Sequence, residues 1–253
     1  MCKFALSIIT SKRPLPDFKH TGTEKKKFVE KMFDDISPQY DFLNHLLSFG
    51  TDIYWRRKFI HSLNLKNGHT VLDVACGTGD IGIEILKKYK VNLINLDLSK
   101  NMLSFAEKKC AKKNIHGIQF IQGDAEELPL KDTSVDYLSI AYGFRNISNY
   151  EKALEEFYRV LKPGGTLGIL EFSVPKSRFF SLLFKFYFHH ILPKIGSLFS
   201  RSDAYHYLPE SVDFFPSRTN ICDKMSNSGF QDSRFIDLTL GVSTIFLGTK
   251  NEK

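Results

Sequence analysis

Cysteine is scarce in this chain of 253 residues, and its four positions, Cys2, Cys76, Cys110 and Cys222, stand far apart. No two form a C-x-x-C pair and none has a local histidine partner, so neither a metal site nor a disulfide scaffold is expected, and the chain suits a reducing, cytoplasmic setting. Long apolar runs are missing too. No segment approaches the roughly 18 uninterrupted apolar residues of a membrane-spanning helix. The opening MCKFALSIITSKRPLP has no evident small-residue cleavage site after its short apolar stretch, which reads as an arm rather than a leader. Internal repeats and low-complexity linkers are also lacking. A local absence is more telling: between Glu171 and Asp203 there is no acidic residue at all.

What remains is ordinary in bulk and particular in pattern. Apolar residues make up 42% and charged residues 25%, as in a soluble globular protein long enough to bury a full core. The net charge of +7 favours an acidic partner without choosing between nucleic acid and an anionic membrane. Residues 1–27 form a basic, pattern-poor arm, disordered or loosely docked. Over 28–65 apolar residues recur at helical spacing (Phe28, Met32, Phe33; Leu43, Leu46, Leu47; Trp55, Phe59, Ile60), with Pro38 fixing a turn.

From residue 70 strand and helix alternate. Strands are expected at 70–74, 92–97, 118–122, 135–141 and 166–172, and helices at 80–89, 99–112 and 150–161. An aromatic helical insertion follows over 175–215, then a helix near 217–228 and closing strands at 233–240 and 242–249. This predicts one α/β domain over 28–253, a doubly wound, mostly parallel seven-stranded sheet covered by helices, with N-terminal helices in front and an insertion before the last two strands.

The first expected strand runs into VLDVACGTGD, where Gly77, Gly79 and Gly82 spell G-x-G-x-x-G. Ligands of open α/β sheets sit beyond the carboxyl ends of the strands, and glycine lets backbone approach them closely. A dinucleotide pyrophosphate would meet Asp73 before the turn and Asp80 after it, whereas a ligand carrying an ammonium and a sulfonium would be favoured by both. Asp97, ending the second strand, can accept both hydroxyls of a ribose; Asp124, after the third, can accept from an adenine amino group, with Ala125 leaving room for a flat ring. Asp97 as a helix cap and Asp124 as a turn residue are the plainer alternatives.

LDVACGTGD, NLDLS, GDAEELPL and RVLKPGG resemble the successive motifs of class I S-adenosylmethionine-dependent methyltransferases, with Ala75 where that family usually has glycine. The resemblance implies S-adenosylmethionine as cofactor, held by Asp73, Gly77, Thr78, Gly79, Asp97, Asp124 and Ala125. FDDISPQYDFLNHLLSFGTDIYWRR, YGFRN, YHYLPESVDFFP and LTLGVSTIFLGTK further resemble the bacterial quinone C-methyltransferases of menaquinone and ubiquinone biosynthesis, from about residue 28 to 250. This implies methylation of a polyprenylated hydroquinone ring carbon, most simply demethylmenaquinol to menaquinol, by an enzyme meeting a lipid-soluble quinol.

Such chemistry asks for alignment and for stabilisation of a phenolate. Arg145 of YGFRN follows the fourth strand and could hold that phenolate; a salt bridge to a nearby carboxylate is its other reading. Tyr142, His206 and water are candidates for removing the ring proton, and the sequence does not rank them; His189 and His190 read as interfacial. Lys176, Arg178, Lys185, Lys194 and Arg201 interleave with eight aromatic residues between 172 and 199, which suits either an anionic membrane surface or a buried cap with snorkelling lysines. A homodimer is left open. The rival readings are a nicotinamide-dependent dehydrogenase resting on Gly77, Gly79, Gly82 and Asp97, a nucleic-acid methyltransferase resting on the charge, and a non-catalytic quinone or lipid binder. Nucleic acid is not expected as a partner, because the charge is not laid out as a stripe with stacking aromatics.

Overall fold

A computed structural model describes residues 22–37, 40–199 and 204–252. Seven strands, β1 (Thr70–Val74), β2 (Asn92–Asp97), β3 (Ile118–Gln122), β4 (Val135–Ala141), β5 (Leu161–Phe172), β6 (Gln231–Leu238) and β7 (Ser243–Thr249), form a sheet in the order β3-β2-β1-β4-β5-β7-β6. The first five are parallel, and β7 runs antiparallel to both β5 and β6. The chain winds outward from β1 through β2 to β3 and then restarts at β4 on the other side, which puts the switch point at the carboxyl ends of β1 and β4.

Side chains alternate across this sheet. On one face Val71, Leu93, Leu170 and Ile245 pack against α3 (Thr51–Ser62) and α4 (Asp80–Leu86) through Trp55, Phe59, Ile81 and Ile85. On the other, Leu72, Leu138, Ile169 and Phe246 pack against α6 (Tyr150–Val160) and α10 (Arg218–Asn227) through Leu154, Phe157, Ile221 and Met225. Two buried faces explain why the central strands read as continuous apolar runs, and each fully buried Leu or Phe contributes about 1.5–3 kcal/mol of transfer free energy. The remaining helix of the sheet layer, α5 (Lys100–Lys112), is started by Ser99, whose Oγ accepts from the Met102 N–H at 3.0 Å.

The other helices gather over the carboxyl edge. They are α1 (Thr23–Ile36), α2 (Tyr40–Leu47), and, within the insertion, α7 (Arg178–Phe186), a π-helical turn at Tyr187–Ile191, α8 (Leu192–Phe199) and α9 (Ala204–Asp213). Two expectations need correcting. Most of the basic arm, 1–21, lies outside the described residues, but its last stretch is the first turn of α1, because Lys25 and Lys26 find partners across the sheet edge. The fifth strand begins at Leu161, not 166: Val135 pairs with Leu161 before a register shift, and strand pairing resumes at Tyr137 with Thr166.

Candidate active site

The ends of β1, β2 and β3 converge on a cleft roofed by α1. Beyond β1 the backbone turns through left-handed positions at Ala75 (φ 50°), Gly77 (φ 54°) and Gly79 (φ 80°). Ala75 is the costly one, since a Cβ disfavours that conformation, and its methyl fills the space beside Gly143: a Cβ built there would lie 2.5 Å from it. The turn is clamped by Asp97, whose carboxylate accepts the Gly77 N–H at 2.7 Å and the Ser99 N–H at 2.9 Å. Each Asp97 oxygen keeps a second lone pair, and the residue lines the cleft. Burial pushes its carboxyl up to about 6, against the pull of those backbone donors.

Asp73, one residue before the end of β1, is fully buried. Ser139 donates to its Oδ1 at 2.7 Å, while Oδ2 has no partner; burial pushes this carboxyl up to about 7, the hydrogen bond opposing. It faces a small pocket shared with Thr78, Asp80, Arg56 and Tyr142. Thr78 Oγ1 donates to Asp41 of α2 at 2.5 Å, and Lys109 of α5 bridges Asp41 and Asp80. Burial works to raise the Asp80 carboxyl, but Arg56 and Lys109 prevail and hold it below the usual carboxylate range. Thr78 thus ties an N-terminal helix to the glycine turn.

On the third strand's side, Asp124 and the buried Glu126 both pair with Lys26, at 2.6 and 2.8 Å. Glu126 Oε1 also accepts the N–H groups of Ser148 and Asn149, both at 3.0 Å. Lys25 donates to the carbonyls of Arg145 and Ile147 at 3.3 and 2.7 Å, and burial, partly offset by Glu126, pushes its amine down to about 8. The α1 roof is therefore latched at both lysines. Asn146, buried with its Oδ1 unpartnered, lines the same cleft as Ala125 and Gly123.

A second, larger cavity of about 330 Å³ lies under α1–α3, α7, the π-helical turn and α9. Its walls are aromatic: Trp55, Tyr142, Phe172, Phe184, Tyr187 and Phe188 all face it. Tyr142 and Phe172 pack with ring centroids 4.6 Å apart, and Trp55 meets Phe172 edge-on at 6.0 Å while donating to Thr239 Oγ1 at 2.8 Å. Tyr142, with φ 58° beyond β4, borders the glycine-turn cleft, the small pocket and this cavity alike.

Two polar groups reach into the aromatic walls. Arg145 stacks 5.6 Å over Phe172 and donates to both oxygens of the wholly buried Glu171, at 2.9 and 3.1 Å. Burial pushes the Glu171 carboxyl up, with Arg145 pulling it back. Asp52 of α3, also buried, accepts from Ser48 Oγ at 2.8 Å and from Arg56 at 2.6 Å, and lies 2.6 Å from Nδ1 of His45. Both residues line the cavity.

Of the residues expected from the sequence, Asp73, Gly77, Asp97, Asp124, Ala125 and Tyr142 come together at the carboxyl edge, and Arg145 stands on the cavity side. Arg145 has the salt bridge that was its alternative reading. Tyr142 is a poor proton acceptor: desolvation pushes its phenol far above the usual tyrosine range, and it shares a hydrogen with Ser243 Oγ at 3.2 Å. His206 falls in α9 with its side chain outside the described residues. The Asp52–His45 pair escaped the sequence reading, although both residues stand in NHLLSFGTD, where the left-handed Phe49 and Gly50 fold α2 back towards α3.

A doubly wound sheet with a glycine turn after β1 and carboxylates after β1, β2 and β3 defines a nucleoside-binding class shared by many methyltransferases. The crystal structure of a SAM-dependent methyltransferase from Aquifex aeolicus has this fold, with a TM-score of 0.58 at 21% identity over 77% of this chain and 88% of its own. The chain belongs to the ubiE/COQ5 methyltransferase family, whose model matches residues 20–250. It is 42% identical to the ubiquinone/menaquinone biosynthesis C-methyltransferase UbiE of Geotalea daltonii, over 90% of this chain and 98% of that one. It is also 42% identical to the demethylmenaquinone methyltransferase of Deinococcus radiodurans, over 90% and 94%.

Proposed function

We propose that this protein transfers a methyl group from S-adenosylmethionine to a ring carbon of a polyprenylated hydroquinone, turning demethylmenaquinol into menaquinol; the benzoquinol of ubiquinone biosynthesis is the alternative substrate, named alongside it in the Geotalea daltonii relative. The observation that carries this reading is the meeting of a carboxylate-lined cleft and an aromatic cavity, which share Tyr142 and Phe33 as a common wall. A charged nucleoside and a greasy ring need different surroundings, and here the two adjoin.

The residues fit the cofactor. Asp73 offers a buried carboxylate oxygen with no partner, which an ammonium would satisfy. Asp97 keeps lone pairs for ribose hydroxyls, and Asn146 Oδ1 is an unpartnered buried acceptor beside Ala125 and Gly123. When bound, the cofactor supplies an electrophilic sulfonium methyl. The chain's own work is then to orient the ring, exclude water and manage one proton. Trp55, Tyr142 and Phe172 orient a flat ring and keep the cavity dry. Arg145 stabilises negative charge on a quinol oxygen, its guanidinium held in place by Glu171. The ring carbon gains a bond to the methyl and must shed its hydrogen as a proton to restore aromaticity. Asp52 is a buried carboxylate facing the cavity, and His45 is within hydrogen-bonding reach of it, so the pair can take that proton up and pass it outward.

The reading is tested by calorimetry in two stages. S-adenosylmethionine should bind and nicotinamide dinucleotides should not; a short-tailed quinol should then bind protein already saturated with S-adenosylhomocysteine. Mutually exclusive binding would contradict two adjoining sites.

A further inference from the structure

Ten of the fourteen large apolar side chains that stand exposed among the described residues lie on α7 and on the stretch from Phe42 to Tyr54, which runs from α2 round a corner into α3. On α7 this is not a frayed core helix. Phe184 and Phe188 form its buried stripe with Leu192, packed on Val212 of α9, while Leu182 is 70%, Phe179 65% and Phe186 55% exposed on the rest of its surface. At the corner Phe49 is 80% exposed. The corner adjoins the π-helical turn that continues α7: the Phe49 and Tyr187 rings are 6.0 Å apart, and the Tyr187 hydroxyl donates to the Leu47 carbonyl at 2.7 Å. Phe49 and Tyr187 also line the aromatic cavity, so the exposed apolar surface reaches that cavity at the corner and at the turn that continues α7. Scattered apolar residues are normal on a protein surface, whereas a contiguous patch around an opening marks a binding face.

The charged residues that stand exposed on α7 and α3 are all basic. Arg178 and Lys185 stand exposed on α7 itself, Lys58 lies 5.9 Å from the Tyr54 ring at the corner, and no acid occurs between Glu171 and Asp203. Asp213 of α9 lies 2.9 Å from Nε2 of His189. Apolar side chains that would enter a hydrocarbon boundary, with cations beside them that would meet anionic headgroups, are the makings of a helix lying in a membrane interface.

We propose that α7 and the α2–α3 corner form one docking surface for an anionic phospholipid bilayer, with the cavity mouth opening into it, so that a lipid-tailed substrate passes from bilayer to ring site without crossing water. The delivery of substrate rests on the quinol reading above; the docking does not.

The experiment is sedimentation of the full chain with phosphatidylglycerol-containing vesicles and with pure phosphatidylcholine vesicles, no substrate present. Binding to the anionic vesicles is expected, weakening steeply with added salt. Leu182→Ser with Leu183→Ser should weaken it at least about tenfold, and Arg178→Gln with Lys185→Gln should remove most of its salt dependence. Neither pair lines the cavity, so turnover of a short-tailed, water-soluble quinol should be unchanged in both while turnover of a long-tailed quinol in vesicles falls with binding. Absence of vesicle binding, or equal binding by the serine variant, would overturn the proposal. So would a dimer in sedimentation velocity that the serine variant dissolves, because a second copy would then cover the face. Vesicle binding without turnover of either quinol would leave the docking surface standing and overturn the substrate reading instead.

Discussion

In the cleft at the ends of β1, β2 and β3, the groups facing a ligand are backbone and short carboxylates carried on strands. In the cavity beneath α1–α3 and α7–α9 they are chiefly aromatic rings, most on the helices and two, Tyr142 and Phe172, at strand ends, with Arg145 and Asp52 among the polar exceptions. Beneath its α1 roof the cleft is fixed by bonds that span few residues or join adjacent strands, such as Asp97 to Gly77 and Ser99. The cavity is fixed by contacts between distant elements, such as Trp55 with Thr239 and Tyr187 with Leu47. A polar ligand is recognised by a rigid turn, and an apolar one by an assembly of helices around it. Substitutions in the cleft should therefore change affinity, and substitutions in the cavity should change turnover and fold.

The largest effect is expected at Asp52. If it takes the ring proton, Asp52→Asn should lower kcat by about 10²–10⁴-fold while calorimetry shows cofactor affinity unchanged. Normal turnover would remove the Asp52–His45 pair from the chemistry. Arg145 comes next, because it serves both turnover and fold. Arg145→Ala strands Glu171 in the interior and should cost about 3–5 kcal/mol in denaturant unfolding. Arg145→Met with Glu171→Gln should recover most of that stability but not turnover, which is expected to fall about 10²–10³-fold, the cost of one oxyanion donor. If the double variant turns over normally, Arg145 is only half of a structural ion pair.

On the cleft side, Asp97→Ala should weaken S-adenosylmethionine by about 1.5–3 kcal/mol, as for hydrogen bonds to a charged group, with kcat at saturation little changed. An unaltered dissociation constant in a folded variant would take Asp97 out of the site. Asp73 gives a test with a sign. Its carboxyl is pushed up to about 7 from an ordinary 3.8, so between those values the folded chain holds a proton that the unfolded chain has lost. Stability without cofactor should therefore fall as pH rises through that window. Asp73→Asn should flatten that slope and stabilise the protein at pH 8 by on the order of 1–3 kcal/mol, yet weaken the cofactor. The smallest effect is expected at the α1 roof. The Lys26 pairs are partly exposed, so Lys26→Ala should cost at most about 1 kcal/mol, and faster hydrogen exchange confined to α1 would show the latch loosened.

How much of this was legible in the sequence follows the same division. VLDVACGTGD, NLDLS and GDAEELPL carry their meaning locally: apolar strand, turn and carboxylate are neighbours in the chain, so Asp73, Asp97 and Asp124 could be named before the fold was seen. All seven strands and the helices after them fall within a few residues of where the alternation put them, β5 excepted, because Lys162-Pro163-Gly164-Gly165 interrupts the pairing without ending the strand. The cavity was not legible. Arg145 and Glu171 are 26 residues apart and Trp55 and Thr239 are 184 apart, and nothing in either local pattern names the partner. Tyr142 was one of three unranked candidates for taking the ring proton; only packing reveals the desolvation that pushes its phenol further up. Asp52 was not singled out in the sequence, because only the α2–α3 corner brings His45 to it.

The most direct test of the central claim, that cleft and cavity join at Tyr142 so that a methyl group can pass between them, is a single transfer with S-adenosylmethionine labelled with carbon-13 at its methyl group and a short-tailed reduced naphthoquinol. Carbon-13 nuclear magnetic resonance of the product should show one labelled methyl on a ring carbon, absent when Asp52→Asn protein is used for the same time. Label on a quinol oxygen, or no transfer while both ligands are bound, would contradict the account.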